Sequence, residues 1–250
     1  MVVGIDTFKA FFADHGDQYA LIGGAACDLL FADAGLQFRA TKDLDIIICV
    51  EIINADFAKA FADFLAKGKY TQFAMHEGEK KFYRFSKPET EGFPAMIELF
   101  ARPAAAIDLP DTDRYVRLAV EDALVSLSAL LLDDNYYELV REGREVVDGV
   151  SILGAALLIP FKARAWLDLT ARKAEGETID SNNIKKHRND VFRLAQLLTQ
   201  EPVALPDTVK DDLKKFAAAM QDEDVDPATF NVENMTKNDA LEAVTKVYAL

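Results

Sequence analysis

The sequence predicts an α+β fold in two parts: a strand-containing core over residues 1–153 and an all-helical C-terminal domain over residues 154–250. Three observations lead there. Short runs rich in Ile, Val and Phe, separated by turn residues, recur up to residue 153. Beyond residue 154 the apolar positions switch to the three-and-four spacing of helices. Half of the 250 residues are hydrophobic, which is ample material for a core and excludes a disordered chain.

The elements follow in chain order. Phe8, Phe11 and Phe12 lie at helical spacing between Asp6, read as a cap, and Asp14. Gln18 to Ile22 reads as a strand. Gly23-Gly24 turns the chain into a helix from about Ala25 to Ala34. Asp43 to Val50 (DLDIIICV) is Ile-rich and too short for a stable helix, so it reads as a strand. Ala55 to Lys67 places Phe57, Phe61, Phe64 and Leu65 on one helical face, with Gly68 as its stop. Strands follow at Tyr70–Met75 and Lys81–Ser86 around the polar turn HEGEK, and another at Ala95–Phe100. Between Val116 and Leu153 the run VSLSALLL fits a strand or a buried helix equally, while REVVDGVSIL predicts a hairpin around Asp148-Gly149. Pro160 is read as a helix start leading FKARAWLDLTARK, closed by Gly176. Asp180-Ser181-Asn182 caps a helix through Leu198. Val209, Leu213, Phe216 and Met220 mark a third helix, and Leu241, Val244 and Tyr248 a fourth.

Composition narrows the function classes. A net charge of −14 argues against a surface built broadly for nucleic-acid phosphates. Residues 160–199, with 8 basic against 5 acidic side chains, form the one locally basic stretch of any length. Solvated helix faces are the plain reading of that stretch, and an anion-binding groove the other. Two cysteines, Cys27 and Cys49, form neither a disulfide framework nor a zinc pattern, which fits a reducing cytosol. No secretory leader is visible, and the longest apolar run, Ile152 to Phe161, is far short of a bilayer span. A cytoplasmic protein without a membrane partner is the expectation.

Three acids stand out. Asp43 and Asp45, two apart on a strand, leave the same face, with Leu44, Ile46, Ile48 and Val50 on the other. Adjacent carboxylates repel, and a shared hard cation such as magnesium relieves the repulsion, although a solvated strand end would also tolerate both. Glu98 sits inside the apolar strand MIELF beside Met96 and Phe100, where a carboxylate needs a metal or a salt bridge. The strand ending in Gly23-Gly24 opens a helix whose free N–H groups suit phosphate, or simply a turn. In the helical part, Lys162 shares a stripe with Ala165, Trp166 and Leu169. Asp190 lies at the edge of the stripe formed with Leu194 and Leu197. The alternatives to function are a snorkelling Lys and a Lys162–Asp190 pair.

Taken together, LIGG, a helix, RATKDLDIII and IELF resemble the signature of the nucleotidyltransferase superfamily, the polymerase-beta-like fold. The R-x-T-x-D-x-D wording, with Arg39 and Thr41 ahead of Asp43, is most similar to the abortive-infection (AbiEii-type) branch, which includes toxins of toxin–antitoxin pairs. The resemblance implies a mixed β-sheet core flanked by helices and a helical C-terminal domain. It also implies a transferase that moves a nucleoside monophosphate from an NTP to an acceptor hydroxyl. Under it, Asp43, Asp45 and Glu98 are metal ligands for one or two Mg2+ and catalytic residues. Gly23, Gly24, Arg39, Thr41 and Lys162 hold the nucleotide, and Lys162 and Asp190 join the catalytic set. A tRNA end becomes a candidate acceptor, and a cognate antitoxin a candidate partner. The chain departs from the pattern at Ala25, where relatives carry Ser or Thr, at Asn189 in place of Lys, and at Arg193 in place of a second acid. Two other readings share these residues: a small-molecule nucleotidyltransferase of the antibiotic-modifying type, and a non-catalytic nucleotide-binding interaction protein.

Overall fold

The computed structural model describes residues 2–39, 41, 43–48, 55–76, 81–101, 116–117, 133–225 and 235–250. They form a mixed α+β structure that groups into two compact units. The first comprises residues 1–133 and 140–154, the second residues 134–139 and 155–250.

The first unit is built on a sheet. Its strands are β1 (Tyr19–Ile22), β2 (Asp43–Ile48), β3 (Tyr70–His76), β4 (Lys81–Pro88), β5 (Met96–Ala101), β6 (Val116–Arg117), β7 (Arg144–Val147) and β8 (Val150–Leu153). They are ordered β6-β3-β4-β5-β2-β1-β8-β7. The sheet is mixed: β2–β5, β1–β8 and β3–β6 run parallel, and the other neighbours antiparallel. Strand register sorts the side chains. Phe85, Ile97 and Leu44 are paired across β4, β5 and β2, as are Tyr83, Leu99 and Ile46, and all six are buried. Helices α1 (Ile5–Phe12) and α3 (Ala55–Gly68) supply the aromatic side of this core. Phe61 meets Phe85 at 6.0 Å between ring centroids, Phe12 meets Phe57 at 5.6 Å, and Phe8 meets Phe64 edge-on at 5.9 Å. The opposite face of the same three strands carries Arg84, Glu98 and Asp45.

Two local readings are corrected. Asp6 lies inside the first turn of α1, and the cap position belongs to Gly4, with no side-chain cap. The acid still favours that end through the helix dipole. The glycine pair is not a turn ahead of its helix but the first turn of α2 (Gly23–Asp33) itself. The predicted hairpin is present: Val147 pairs with Val150, and Asp148 and Gly149 both have positive φ, 48° and 75°, as a two-residue type I′ turn requires. A helix that was not anticipated, α4 (Asp134–Glu142), precedes it. VSLSALLL, Cys49 and Val50, and most of the HEGEK turn, lie outside the described residues.

The second unit contains α5 (Ala155–Ala174), α6 (Ser181–Ala195), α7 (Asp207–Asp222) and α8 (Lys237–Tyr248), joined by residues 134–139 of α4. Pro160 does not start a helix. It sits inside α5, which begins five residues earlier. A proline there leaves the carbonyl of Ala156, four residues back, without its helical donor. The Tyr248 hydroxyl donates to that carbonyl at 2.6 Å. Asp180 caps α6 by accepting from the Asn182 N–H, as its sequence suggests. Val209, Leu213, Phe216 and Met220 are fully buried along α7, and Phe216 meets Trp166 edge-on at 5.4 Å. Tyr136 of α4 is held by donating to Asp212 at 3.1 Å and by edge-on contact with Phe161. Among the described residues, no helix is long and apolar enough to cross a membrane.

Candidate active site

The site in the first unit is a row that follows strand register. Arg84 on β4 pairs with Glu98 on β5, Glu98 with Asp45 on β2, and Asp45 with Ile22 at the end of β1. The next residue is Gly23, at the start of α2, with φ +66°. A Cβ at Gly23 would overlap the Asp45 carboxylate, so a side chain is excluded there both by conformation and by space. A Cβ at Gly24 would come within 2.6 Å of Thr41 Oγ1. The bare backbone of the first turn of α2 is thus brought against Asp45 and Thr41, where its N–H groups are free of intrahelical partners by the geometry of any helix start.

Asp43 and Asp45 are partly exposed, whereas Glu98 is buried. Burial, the neighbouring Asp45 charge and a hydrogen bond between the two carboxyls push the Glu98 carboxyl well above its usual range, and Arg84 opposes them. Arg84 Nη2 lies 2.6 Å, and Nε 2.8 Å, from the same oxygen, Glu98 Oε1. The salt bridge weighed above for Glu98 is therefore real, and it coexists with the contact to Asp45. Arg84 was missed in the sequence, although the signal was available. It is the cation inside KFYRFS, facing Glu98 inside MIELF, and two lone charges in neighbouring apolar strands predict each other.

The donors around Asp43 and Asp45 are carboxylate oxygens, the chemistry that suits magnesium. Among the described residues, no group of three or more His, Cys, Asp or Glu side chains is placed to hold a metal ion. Magnesium is ordinarily held by one or two carboxylates with water and substrate phosphate completing its shell. Asp43 and Asp45 beside the glycine cradle fit that open arrangement, and nothing else about a metal need be preformed. Arg39 has its guanidinium 5.0 Å over the Phe38 ring. Ala25 is fully buried and offers no hydroxyl.

Lys162 and Asp190 lie in the second unit, and there they meet. Lys162 Nζ is 3.2 Å from Asp190 Oδ2, and Arg193 is 3.1 Å from Oδ1. Asp190 is wholly buried between two cations, rather than at the edge of a stripe. Arg193 is thus a second cation on the acid. Asn189 accepts from Arg188 Nε at 3.2 Å.

No family model matches the chain, and no curated protein sequence matches it. A solved structure similar to it is that of an antigenic nucleotidyltransferase-like protein from Paracoccidioides brasiliensis. The two are 17% identical, with 96% of this chain and 93% of that chain covered, at a TM-score of 0.45. What the site can do must therefore come from its own residues.

Proposed function

We propose that the chain is a magnesium-dependent nucleotidyltransferase, moving a nucleoside monophosphate from an NTP to an acceptor hydroxyl. The observation that carries this reading is the row itself. Asp45, paired with Glu98 across the sheet, stands directly against the start of α2, where only a glycine backbone fits beside its carboxylate. Magnesium held there would polarise the phosphate and offset the charge of the departing pyrophosphate. The protein's own groups do the rest. Backbone N–H groups of Gly23 and Gly24 hold phosphate oxygens, in a position no side chain can enter. Asp43 and Asp45 supply the oxygen donors, and Thr41 borders the cradle. Glu98, held by hydrogen bonds from Arg84, fixes Asp45 from the neighbouring strand.

The branch resemblance extends the proposal to a hydroxyl at a tRNA end, and to a toxin with a cognate antitoxin. Incubation with each labelled NTP, magnesium and bulk tRNA tests it. Label on tRNA that is lost in Asp43→Ala and Asp45→Ala, both still folded, is the expected result. Full transfer by Asp43→Ala would sink the mechanism. One observation favours a second reading, a nucleotide-binding protein without turnover. Ala25, fully buried, offers no hydroxyl at the position where the resembling family carries Ser or Thr. Tight NTP binding with no transfer to any acceptor would decide for it.

A further inference from the structure

Glu98 differs from the two aspartates in a way that bears on metal loading. Asp43 and Asp45 are partly exposed, which suits a reluctantly dehydrating ion such as magnesium that keeps several of its waters. Glu98 is 5% exposed and Arg84 7%. Both Nε and Nη2 of Arg84 converge on Oε1, and two donors occupy the lone pairs of one carboxylate oxygen. Asp45 is the residue directly opposite Glu98 on the neighbouring strand β2. A metal seated on Glu98 would therefore have to displace a buried guanidinium hydrogen-bonded to the same oxygen, or sit beside it as a second cation. Both are costly away from water.

We propose that Arg84 takes the place of a second metal at Glu98, so that the site loads a single divalent cation on Asp43 and Asp45. Glu98 is then a positioning residue, which orients the Asp45 carboxylate and is itself held by Arg84. The order of the strands makes this a relay across the sheet, from β4 through β5 to β2. It also gives the guanidinium a constant task, since its charge is present whether or not the nucleotide has arrived. The inference rests on the metal-dependent reading above and goes beyond it, because that reading is indifferent to one ion or two.

Mn2+ is the probe, titrated with each of the four non-hydrolysable NTP analogues and followed by equilibrium binding and electron paramagnetic resonance. Wild-type protein is expected to bind one Mn2+ per chain, with no exchange coupling between ions. Two coupled ions per chain would overturn the inference and leave the metal-dependent reading standing. No bound Mn2+ at all would overturn both. Glu98→Gln keeps an acceptor for Arg84 and is expected to retain one ion. Its affinity should fall by about 10-fold, as for the loss of an outer-shell partner. Loss as complete as in Asp45→Asn would show that Glu98 is a ligand and overturn the inference. Arg84→Met, if folded by circular dichroism, is expected to admit a second, coupled Mn2+. If Arg84→Met does not fold, the wild-type stoichiometry and Glu98→Gln still decide.

Discussion

At Gly23 the backbone and the missing side chain serve one end. Its positive φ starts α2 abruptly from β1, and the empty Cβ position is filled by the Asp45 carboxylate. Gly23→Ala therefore meets both a strained conformation and an overlap, and should cost about 1–3 kcal/mol in urea denaturation. The buried acid next in the row makes a pH prediction. The Glu98 carboxyl is raised above 4.5 by burial and by Asp45, so the folded chain holds a proton that the unfolded chain has released. With more protons bound in the native state, stability falls as pH rises. Metal-free protein should thus lose stability progressively from about pH 4.5 up through the raised Glu98 value. Glu98→Gln should flatten that part of the stability–pH curve. An unchanged slope in the variant would mean that another group is responsible. How far such residues can be read in sequence depends on what they answer to. Asp43, Asp45 and the glycine pair are visible because their chemistry is local. Arg84 is meaningful only once β4 and β5 are aligned, whereas the Lys162–Asp190 pair is among the alternatives the sequence offers, with Arg193 one turn further along the same helix as a second cation.

Among the elements, α5 shows most clearly where local rules end. A proline suggests a helix start, because its missing N–H harms nothing there. In this chain the missing bond falls mid-helix, and the orphaned Ala156 carbonyl is satisfied by Tyr248, 92 residues away. No window of neighbouring residues contains that partner. Tyr248→Phe leaves the carbonyl buried without a donor and should cost about 1–3 kcal/mol. In a Pro160→Ala background the helix can supply its own N–H, so the same Tyr248→Phe change should cost less. A double-mutant cycle measures the difference. Asp190 makes a second element-level test, since it joins α5 to α6. Asp190→Ala strands Lys162 and Arg193 in the interior and should cost about 3–5 kcal/mol by thermal or denaturant unfolding. By contrast, the Asp148-Gly149 hairpin and the Asp180 cap were legible in advance. Both are decided within four residues by φ preference and one side-chain oxygen.

For the molecule as a whole, the net charge of −14 remains the dominant electrostatic fact. Self-repulsion at that charge opposes compactness, and salt screens exposed charges over a Debye length. Raising NaCl from about 10 mM to about 0.15 M shortens that length from about 30 to about 8 Å and should raise the thermal midpoint. The buried pairs Arg84–Glu98 and Lys162–Asp190, shielded from solvent ions, should hardly respond. A midpoint that falls with salt would point to surface ion pairs as net stabilisers instead.

The row across the sheet has one more consequence. Side chains alternate along a strand, so a slip of β5 by a single residue exchanges its two faces. Glu98 would then lie among Phe61 and Phe85, and Ile97 or Leu99 would face Asp45. Such a misassembled sheet is heavily penalised by the aromatic core. The core thereby proofreads the site: a chain that has folded at all has its acids in line.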